Sequence, residues 1–474
     1  MIQWMCELEP EGHSFCPYHD PPCTLEECVE AAVVAGSDIA DGDEYHNALA
    51  TSVMQGNLTL GDAQERLYNT LLIRFRLGLF DPVADQPYLK YGAESIATPA
   101  ARAENALAAR QGLVLLQRGA LPFARGAGGT TAVLGFCGNS TRALISNYVN
   151  QLCADGGYAC YPTLLQSIAA LGEATAFSPG CSSPTDCAEA AIAAAAALAG
   201  APTTARIVLC LGIGQGQEAE QLDRVNITLP PAQRALFAAV AAAAAARPLA
   251  AVLIHGGALA VSEVKASGAA VLDAFYPGPE GGGALADALF GLYNPGGKLP
   301  YTVYGEGYTA ALDMADMRIA QTGRTYRYRA AGSPGGAPLW PFGFGLSYTN
   351  FSLAYSGGSA LLLTPASPSA TLPVRVSNAG GVPGDEVLQV YLAPQAASLA
   401  PPLPPFVPLR ALLAFERVRV EAGAGVDVAV ALSALMCNLT LSDGTRKPVD
   451  GNYTLVLSRG VGEELQVGLT LQGW

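Results

Sequence analysis

The chain has 474 residues, half of them apolar and only 14% charged, with a formal net charge of −14. This length predicts two to four domains, and the apolar content is sufficient for sizeable cores. The acidic balance argues against nucleic acid and anionic membranes as partners, because both would repel the protein, and a neutral substrate fits better.

The sequence predicts an exported protein without a membrane span. Its richest apolar stretch, residues 235–255, is interrupted by Arg247 and Pro248 and predicts a helix followed by the strand Leu249–Ile254. The first seven residues lack the basic start and apolar centre of a signal peptide. Eleven cysteines and six glycosylation sequons favour an oxidising, secretory or extracellular location, so we expect the natural N-terminus to precede Met1. The sequons lie at Asn57, Asn139, Asn226, Asn350, Asn438 and Asn452.

Residues 1–85 predict an irregular start followed by helices. Four cysteines and two histidines occur before residue 30, but their spacings match no paired zinc-ligand pattern, so disulfides or burial are favoured. Helices are predicted at Leu25–Ala35, capped by Thr24, and at Leu60–Leu77, followed by Gly78.

From about residue 90 the pattern is α/β. Alternating helices and buried strands predict a mainly parallel sheet with helices on both faces. The predicted helices are Ala100–Gln117, Pro184–Ala199 and Ala284–Leu292, and the predicted strands are Ala132–Gly135, Ile207–Leu211, Ala251–Ile254 and Ala270–Ala274. Two glycine-rich stretches, at 212–216 and 278–283, lack the residues that complete a nucleotide-binding motif, so a nucleotide enzyme is disfavoured.

After Tyr348 the pattern becomes all-β. Apolar and polar residues alternate in short segments separated by turn residues, which is typical of an antiparallel β-sandwich. The predicted strand segments are Thr371–Val376, Glu386–Tyr391, Val418–Val420, Val426–Leu432 and Tyr453–Leu457.

The loop Gly214–Arg224 carries the candidate chemistry. It follows a buried strand and contains Glu218, Glu220 and Asp223. A carboxyl group held at this position in an α/β sheet can have a raised pKa and donate a proton near neutrality. The alternative is that these are solvated loop charges partnered by Arg224, and from spacing alone this alternative would prevail.

Several motifs in the same order resemble glycoside hydrolase family 3, especially its β-xylosidase and α-arabinofuranosidase branch. They span most of the chain and lie at residues 35–38, 74–82, 110–116, 217–224, 276–278, 289–300, 323–328 and 341–351. The resemblance implies the end of a (β/α)8 barrel at residues 1–85, an α/β sandwich at 90–347 and a fibronectin III-like domain at 348–474. We therefore expect residues 1–85 to be poorly ordered, or to pack on the sandwich as a helical appendage, because an open barrel piece exposes its sheet edges.

The resemblance also implies a retaining hydrolase with two catalytic carboxyl groups. The general acid/base carries over to Glu218, the first glutamate of the matching motif, with Glu220 as the second candidate. Glu280 is a weaker alternative, because acids are common at the start of a helix. Asp223 and Arg224 are expected to form a structural pair that orients the loop, since an arginine partner makes an aspartate a poor acid.

The family's nucleophile does not carry over. Met5 stands where the aspartate is expected, and methionine has no carboxylate to form a glycosyl ester. Asp38 matches a later motif and is expected to be structural or close to the sugar. Because retaining hydrolysis needs two carboxyl groups about 5–5.5 Å apart, we expect impaired or absent activity.

The sequence thus predicts a fragment of a secreted β-xylosidase-like hydrolase acting on hemicellulose oligosaccharides. The alternative is a non-catalytic module that binds carbohydrate or a partner. No metal or organic cofactor is expected, because transfer of a glycosyl group to water needs only acids and bases. The sugar could be xylose, arabinose or glucose, since the barrel that grips it in the family is mostly absent.

Overall fold

A computed structural model describes residues 24–149, 152–153, 155–220, 222, 224–402 and 404–474. The chain forms two compact units, Met1–Thr98 and Pro99–Trp474. Within the described ranges, no helix has the length and apolar character that crossing a bilayer requires.

The described part of the first unit is helical. Thr24 and Thr59 each begin a helix with a capping box, and Gly78, at φ +72°, follows the last turn of the longest helix, as predicted. A small apolar core joins Val29 and Ala48. The α-helices are α1 (Leu25–Val34), α2 (Ala50–Met54) and α3 (Leu60–Arg76), and a π-helical turn covers Tyr45–Leu49. No strand occurs among residues 24–98, so the assignment of a barrel remnant to residues 1–85 stays a prediction.

The second unit begins with an α/β sandwich built on a six-stranded sheet. The strand order is β1-β6-β5-β4-β2-β3, and all neighbours are parallel except the first pair. The strands are β1 (Val114–Gln117), β2 (Thr130–Leu134), β3 (Thr175–Ser178), β4 (Thr204–Gly212), β5 (Leu249–Ile254) and β6 (Ala270–Asp273). The predicted parallel sheet is therefore confirmed in its central strands.

Helices cover both faces of this sheet, as expected for buried parallel strands. One apolar cluster lies under α4, α5 and α9, and a second lies under α6 and α7. The helices are α4 (Pro99–Gly112), α5 (Leu164–Ala170), α6 (Glu189–Gly200), α7 (Pro231–Ala244), α8 (Ser262–Ala266), α9 (Gly281–Leu289), α10 (Tyr308–Ala311) and α11 (Thr325–Tyr328).

The predicted helix Ala100–Gln117 is wrong in its last turn. The helix ends at Gly112, and Val114–Gln117 form β1, which pairs antiparallel with β6. Leu113 and Leu115 are fully buried, so the apolar run is an edge strand of the core sheet and not the face of a longer helix.

The second unit ends in the expected antiparallel β-sandwich. A five-stranded sheet, β11-β10-β15-β16-β8, faces a three-stranded sheet, β12-β9-β7, across one apolar core. All five strand segments predicted from sequence fall within these strands. The strands are β7 (Phe351–Tyr355), β8 (Ala360–Leu363), β9 (Ser369–Asn378), β10 (Gly384–Pro394), β11 (Ala411–Val420), β12 (Gly425–Ser433), β15 (Gly451–Ser458) and β16 (Leu465–Leu471), with a small hairpin formed by β13 (Leu439–Thr440) and β14 (Arg446–Lys447).

Disulfides stabilise the α/β sandwich. Cys137 pairs with Cys210, Cys153 with Cys160, and Cys181 with Cys187. Cys437 is a buried free thiol in the β-sandwich. The first of these pairs links the loop after β2 to β4, two neighbouring strands of the sheet.

Candidate active site

The candidate site lies at the carboxyl ends of three adjacent parallel strands. Strands β4, β5 and β6 are neighbours, so the loops that follow them meet at one edge of the sheet. These loops contribute Glu218, the segment His255–Gly257 and Tyr276. Gly212 ends β4 at φ +145°, where an added Cβ would lie 1.8 Å from the Ile254 carbonyl oxygen, so only glycine allows this approach of the two chains.

The carboxylate of Glu218 is held by four donors. The backbone N–H of Gly256 and the hydroxyl of Tyr276, at 2.8 Å, both donate to Oε1. The N–H of Gly257 donates to Oε2 at 2.8 Å, and Arg224 Nη2 lies 3.4 Å from the same oxygen. Because the side chain is only 15% exposed, its charge is neutralised largely by these protein donors.

Glycine is required at the two positions that bind the Glu218 carboxylate and form its cradle, because there is no room for a Cβ atom. A Cβ at Gly257 would lie 2.8 Å from Glu218 Oε2, and one at Gly256 would lie 2.9 Å from the Tyr276 ring. Arg224 completes the cradle, because its Nη2 also donates to the carbonyl of Ala258 at 2.7 Å. Arg224 therefore ties the loop after β4 to the loop after β5. Its predicted partner Asp223 lies outside the described residues.

Glu220 has a different environment from Glu218, although only Ala219 separates them. Its side chain is exposed, and its carboxylate accepts a hydrogen bond from the hydroxyl of Tyr148. This hydrogen bond is the main reason that the pKa of Tyr148 lies above its usual range. Tyr148 is itself 73% exposed, so Glu220 meets solvent beside an aromatic ring.

A buried layer supports the cradle from below. His255 and Asp273 are each 1% exposed and end neighbouring strands, with His255 Nε2 lying 3.1 Å from Asp273 Oδ1. Burial by itself lowers the pKa of His255, but the Asp273 and Glu218 carboxylates and the Gly257 carbonyl outweigh it, so the net pKa is raised. Burial, followed by the Glu218 carboxylate, raises the pKa of Tyr276, which is therefore protonated and a donor.

The loop that carries Tyr148 is fastened to the loop that carries Glu220. Arg142 Nη2 donates to Gln215 Oε1 at 2.9 Å, and Gln215 Nε2 donates to the Ile145 carbonyl at the same distance. The guanidinium of Arg142 also lies over the Tyr158 ring. These contacts bring Tyr148 to the site although it lies about 70 residues before Glu220, so the spacing of residues in the sequence could not predict this proximity.

The other predicted site residues lie elsewhere or are engaged in ion pairs. Asp38, in the first unit, pairs with Arg66 at 3.1 Å and accepts from Asn69 at 3.0 Å. Glu280 precedes α9 and pairs with Arg102 at 2.8 Å. Met5 lies outside the described residues. The described residues contain no group of three or more histidine, cysteine or acidic side chains arranged to hold a metal ion.

Sequence reasoning missed the roles of His255, Asp273 and Tyr148. A histidine directly after a buried strand is a usable signal, and Asp273 lies near the end of the next predicted strand along the chain. Tyr148 offered no such signal, because it lies in an irregular loop.

Comparison with known proteins defines the class. Residues 113–348 match the sequence profile of the glycosyl hydrolase family 3 C-terminal domain. The fold agrees: an exo-β-xylosidase of this family, solved with a xylobiose aziridine probe, aligns over 97% of this chain and 59% of its own with a TM-score of 0.83 and 24% identity. A β-glucosidase from Listeria innocua aligns over 95% of this chain and 60% of its own, with a TM-score of 0.75 and 23% identity.

Curated relatives agree at the level of sequence. β-D-xylosidase 1 of Arabidopsis thaliana is 33% identical over 87% of this chain and 55% of its own length. β-Xylosidase/α-L-arabinofuranosidase 2 of Medicago sativa is 31% identical over 91% of this chain and 57% of its own. The chain belongs to glycosyl hydrolase family 3 and covers the C-terminal part of its relatives, slightly more than half of their length. The recognition made from sequence motifs is confirmed.

Proposed function

We propose that this chain supplies the proton-donating half of a β-xylosidase-type glycoside hydrolase, and that Glu220 is the proton donor while Glu218 anchors its loop. The names of the relatives, which are β-xylosidases and a β-xylosidase/α-L-arabinofuranosidase, support the reaction class. The contrast between the partners of the two glutamates supports the assignment of roles.

Glu218 is engaged at both carboxylate oxygens. All four of its neighbours donate hydrogen bonds or positive charge to the carboxylate, so both oxygens are occupied by protein groups. Two of these donors are backbone amides that cannot turn away. The arrangement stabilises an ion and fixes the loop, which is the role of a positioning residue.

Glu220 meets the requirements of a general acid/base. It is exposed, so its carboxyl group can reach a glycosidic oxygen. Its carboxylate accepts a hydrogen bond from the Tyr148 hydroxyl. Its backbone is fixed because Ala219 and Leu222 bridge the turn on either side of it. A mobile carboxyl group on a fixed backbone can donate a proton to the leaving oxygen and later accept one from water.

The second carboxyl group is not assigned. A retaining mechanism needs a nucleophile about 5–5.5 Å from the acid/base, and the position expected for it is occupied by Met5. Asp38 is held by Arg66 and Asn69 and serves as a structural residue of the first unit. We propose in addition that the activity of this chain is impaired, that the protein is secreted and glycosylated, and that it has the domain limits given above with a fibronectin III-like last domain.

The test is hydrolysis of aryl β-xylosides and aryl α-arabinosides whose leaving groups differ in basicity. Loss of a general acid slows substrates with basic leaving groups most, because acidic phenols depart without protonation. We expect Glu220→Gln to produce this selective loss and Glu218→Gln to slow all substrates equally through a displaced loop. If Glu218→Gln instead produced the selective loss, Glu218 would be the proton donor.

A folded chain that shows no turnover on any substrate would favour the non-catalytic alternative. Calorimetric titration with xylobiose then distinguishes a carbohydrate-binding module from a protein without affinity for sugar. Comparing xylobiose titrations of the Tyr148→Phe variant and the unsubstituted chain shows whether any sugar binding uses the exposed surface around Tyr148 and Glu220.

A further inference from the structure

The side chain of His255 lies between two acceptors. It follows β5 directly, its Nδ1 lies 2.7 Å from the carbonyl oxygen of Gly257, and its Nε2 lies 3.1 Å from Asp273 Oδ1. A carbonyl oxygen only accepts, so Nδ1 must carry a hydrogen. Asp273 Oδ1 also accepts the N–H of Phe275, which requires a lone pair on this oxygen.

A neutral imidazole beside an ionised Asp273 is unfavourable. It carries a single N–H, which the Gly257 carbonyl requires, so Nε2 would present a lone pair to a carboxylate oxygen inside a buried site. Turning the ring over would place carbon atoms against both oxygens and lose both contacts. Beside an ionised Asp273, the doubly protonated ring keeps the Nδ1 bond and adds a favourable charge at the second contact: Nε2 and Asp273 Oδ1 lie within ion-pair distance, although they are not aligned for a hydrogen bond.

The charges around the ring agree with this state. Asp273, at the end of β6, and Glu218, in the loop after β4, are the carboxylates that act on it. Arg224, in the same loop, carries the compensating guanidinium of the Glu218 cradle. Tyr276 and Tyr301, the remaining titratable groups of the cluster, stay protonated because burial raises the pKa of each phenol. An imidazolium therefore balances two carboxylates against two cations.

His255 also grips the turn that holds Glu218. Its Nδ1 bonds the carbonyl of Gly257, while the N–H groups of Gly256 and Gly257 bond the Glu218 carboxylate. The turn is thus held from the core side by the ring and from the loop side by the glutamate, through three consecutive peptide units. Loss of the Nε2 proton would keep the Nδ1 bond to the turn but remove the ion pair with Asp273 that fixes the ring, so the turn would be held less firmly from the core side.

We propose that His255 is a buried imidazolium at neutral pH and acts as a positioning residue, fixing the Gly256–Gly257 turn that anchors Glu218 and, through it, the backbone beside Glu220. The importance of His255 for catalysis rests on the function proposed above. The protonation state of His255 and its contact with the turn do not depend on that function.

The first experiment measures the protonation of the ring. The protein has four histidines, so ¹⁵N-histidine labelling gives few signals, and His255→Gln assigns the one of interest. We expect both nitrogens of His255 to show N–H shifts at pH 7.5. One protonated and one bare nitrogen at His255 would overturn the proposal, and these shifts are read from the unsubstituted chain, with His255→Gln used for assignment.

The second experiment measures the turn. We expect His255→Gln to speed amide hydrogen exchange at Gly256 and Gly257 by at least tenfold, and His46→Gln to leave it unchanged. Protection in the unsubstituted chain, corrected for intrinsic exchange, should fall as pH rises through the titration of His255, whereas His255→Gln should show no such step. Unchanged exchange in His255→Gln would remove the positioning role. Because neither readout uses glycoside turnover, an inactive chain would leave this proposal standing.

Discussion

Two glutamates in the second unit are surrounded by donors, and they serve different ends. Glu386 joins the α/β sandwich to the β-sandwich: Lys298 lies 2.8 Å from Oε1 and Arg459 lies 3.1 Å from Oε2. Glu386 is 2% exposed, and its Oε1 also accepts the N–H of Val387. Glu218 lies at the edge of the sheet and is held by amides, a phenol and one arginine.

The difference lies in what surrounds each carboxylate. Glu386 is enclosed by cations from both domains, and burial, with Arg459 acting in the same direction, lowers the pKa of Lys298 in spite of Glu386. Because its carboxylate is buried and paired with a cation from each domain, this cluster specifies how the two domains fit. Glu218 is held as firmly, but its neighbour Glu220 reaches solvent. A rigid carboxylate two residues from an exposed one is an arrangement that can support chemistry.

The largest expected effect is at the domain junction. Glu386→Ala leaves Lys298 and Arg459 buried without their counter-charge, which costs about 3–5 kcal/mol in the free energy of unfolding. Chemical denaturation measures the loss. Asp427→Ala is the matched control, because its pair with Arg375 is exposed and such pairs contribute about 0–1 kcal/mol. Equal losses in the two variants would contradict the distinction between buried and exposed pairs.

A smaller loss is expected at the cradle. Glu218→Gln places an amide NH₂ against donors, and an unsatisfied buried donor costs about 1–3 kcal/mol. The free energy of unfolding and amide exchange at Gly257 measure the effect. Glu220→Gln is the control and should change stability by less than about 0.5 kcal/mol, since its side chain is exposed. A destabilised Glu220→Gln would break the contrast between the two glutamates.

Stability should also depend on pH through His255. The folded pKa of His255 is raised above its usual value, so the native state binds the proton more tightly than the unfolded chain does. The contribution is fully present below the unfolded pKa of about 6.5 and is lost as pH rises through the folded pKa. The difference in unfolding free energy between the unsubstituted chain and His255→Gln should therefore shrink from pH 6 to pH 9. A difference that grows over this range would mean that folding lowers the pKa of His255 and would contradict the prediction.

The smallest expected effect is at Tyr276. Tyr276→Phe removes one of four hydrogen bonds to Glu218 while keeping the ring that packs against Gly256, at a cost of about 1 kcal/mol. Thermal unfolding measures the change. Tyr148→Phe, which removes the exposed hydroxyl that bonds Glu220, should leave the melting temperature unchanged. If both variants lowered the melting temperature equally, both tyrosine hydroxyl groups would contribute to the stability of the fold, and the distinction between them would be wrong.

The sequence by itself determined the family, the classes of the two folds in the second unit and the loop that carries the acids. Buried parallel strands appear as continuous apolar runs and sandwich strands as alternation, so β4, β5 and β10 were predictable from period and length. The edge strand β1 was not, because the short apolar run after Gly112 cannot be told from a further helical turn by periodicity alone.

Only the tertiary structure distinguished Glu218 from Glu220. Both follow the same strand in the same motif, and the motif ranked Glu218 first as the general acid/base with Glu220 as the second candidate. The donors that separate them come from residues 256, 257 and 276 on one side and from residue 148 on the other. A carboxylate's role depends on the groups that face it through space, and the topology of the sheet, not the spacing of the acids, brings those groups together.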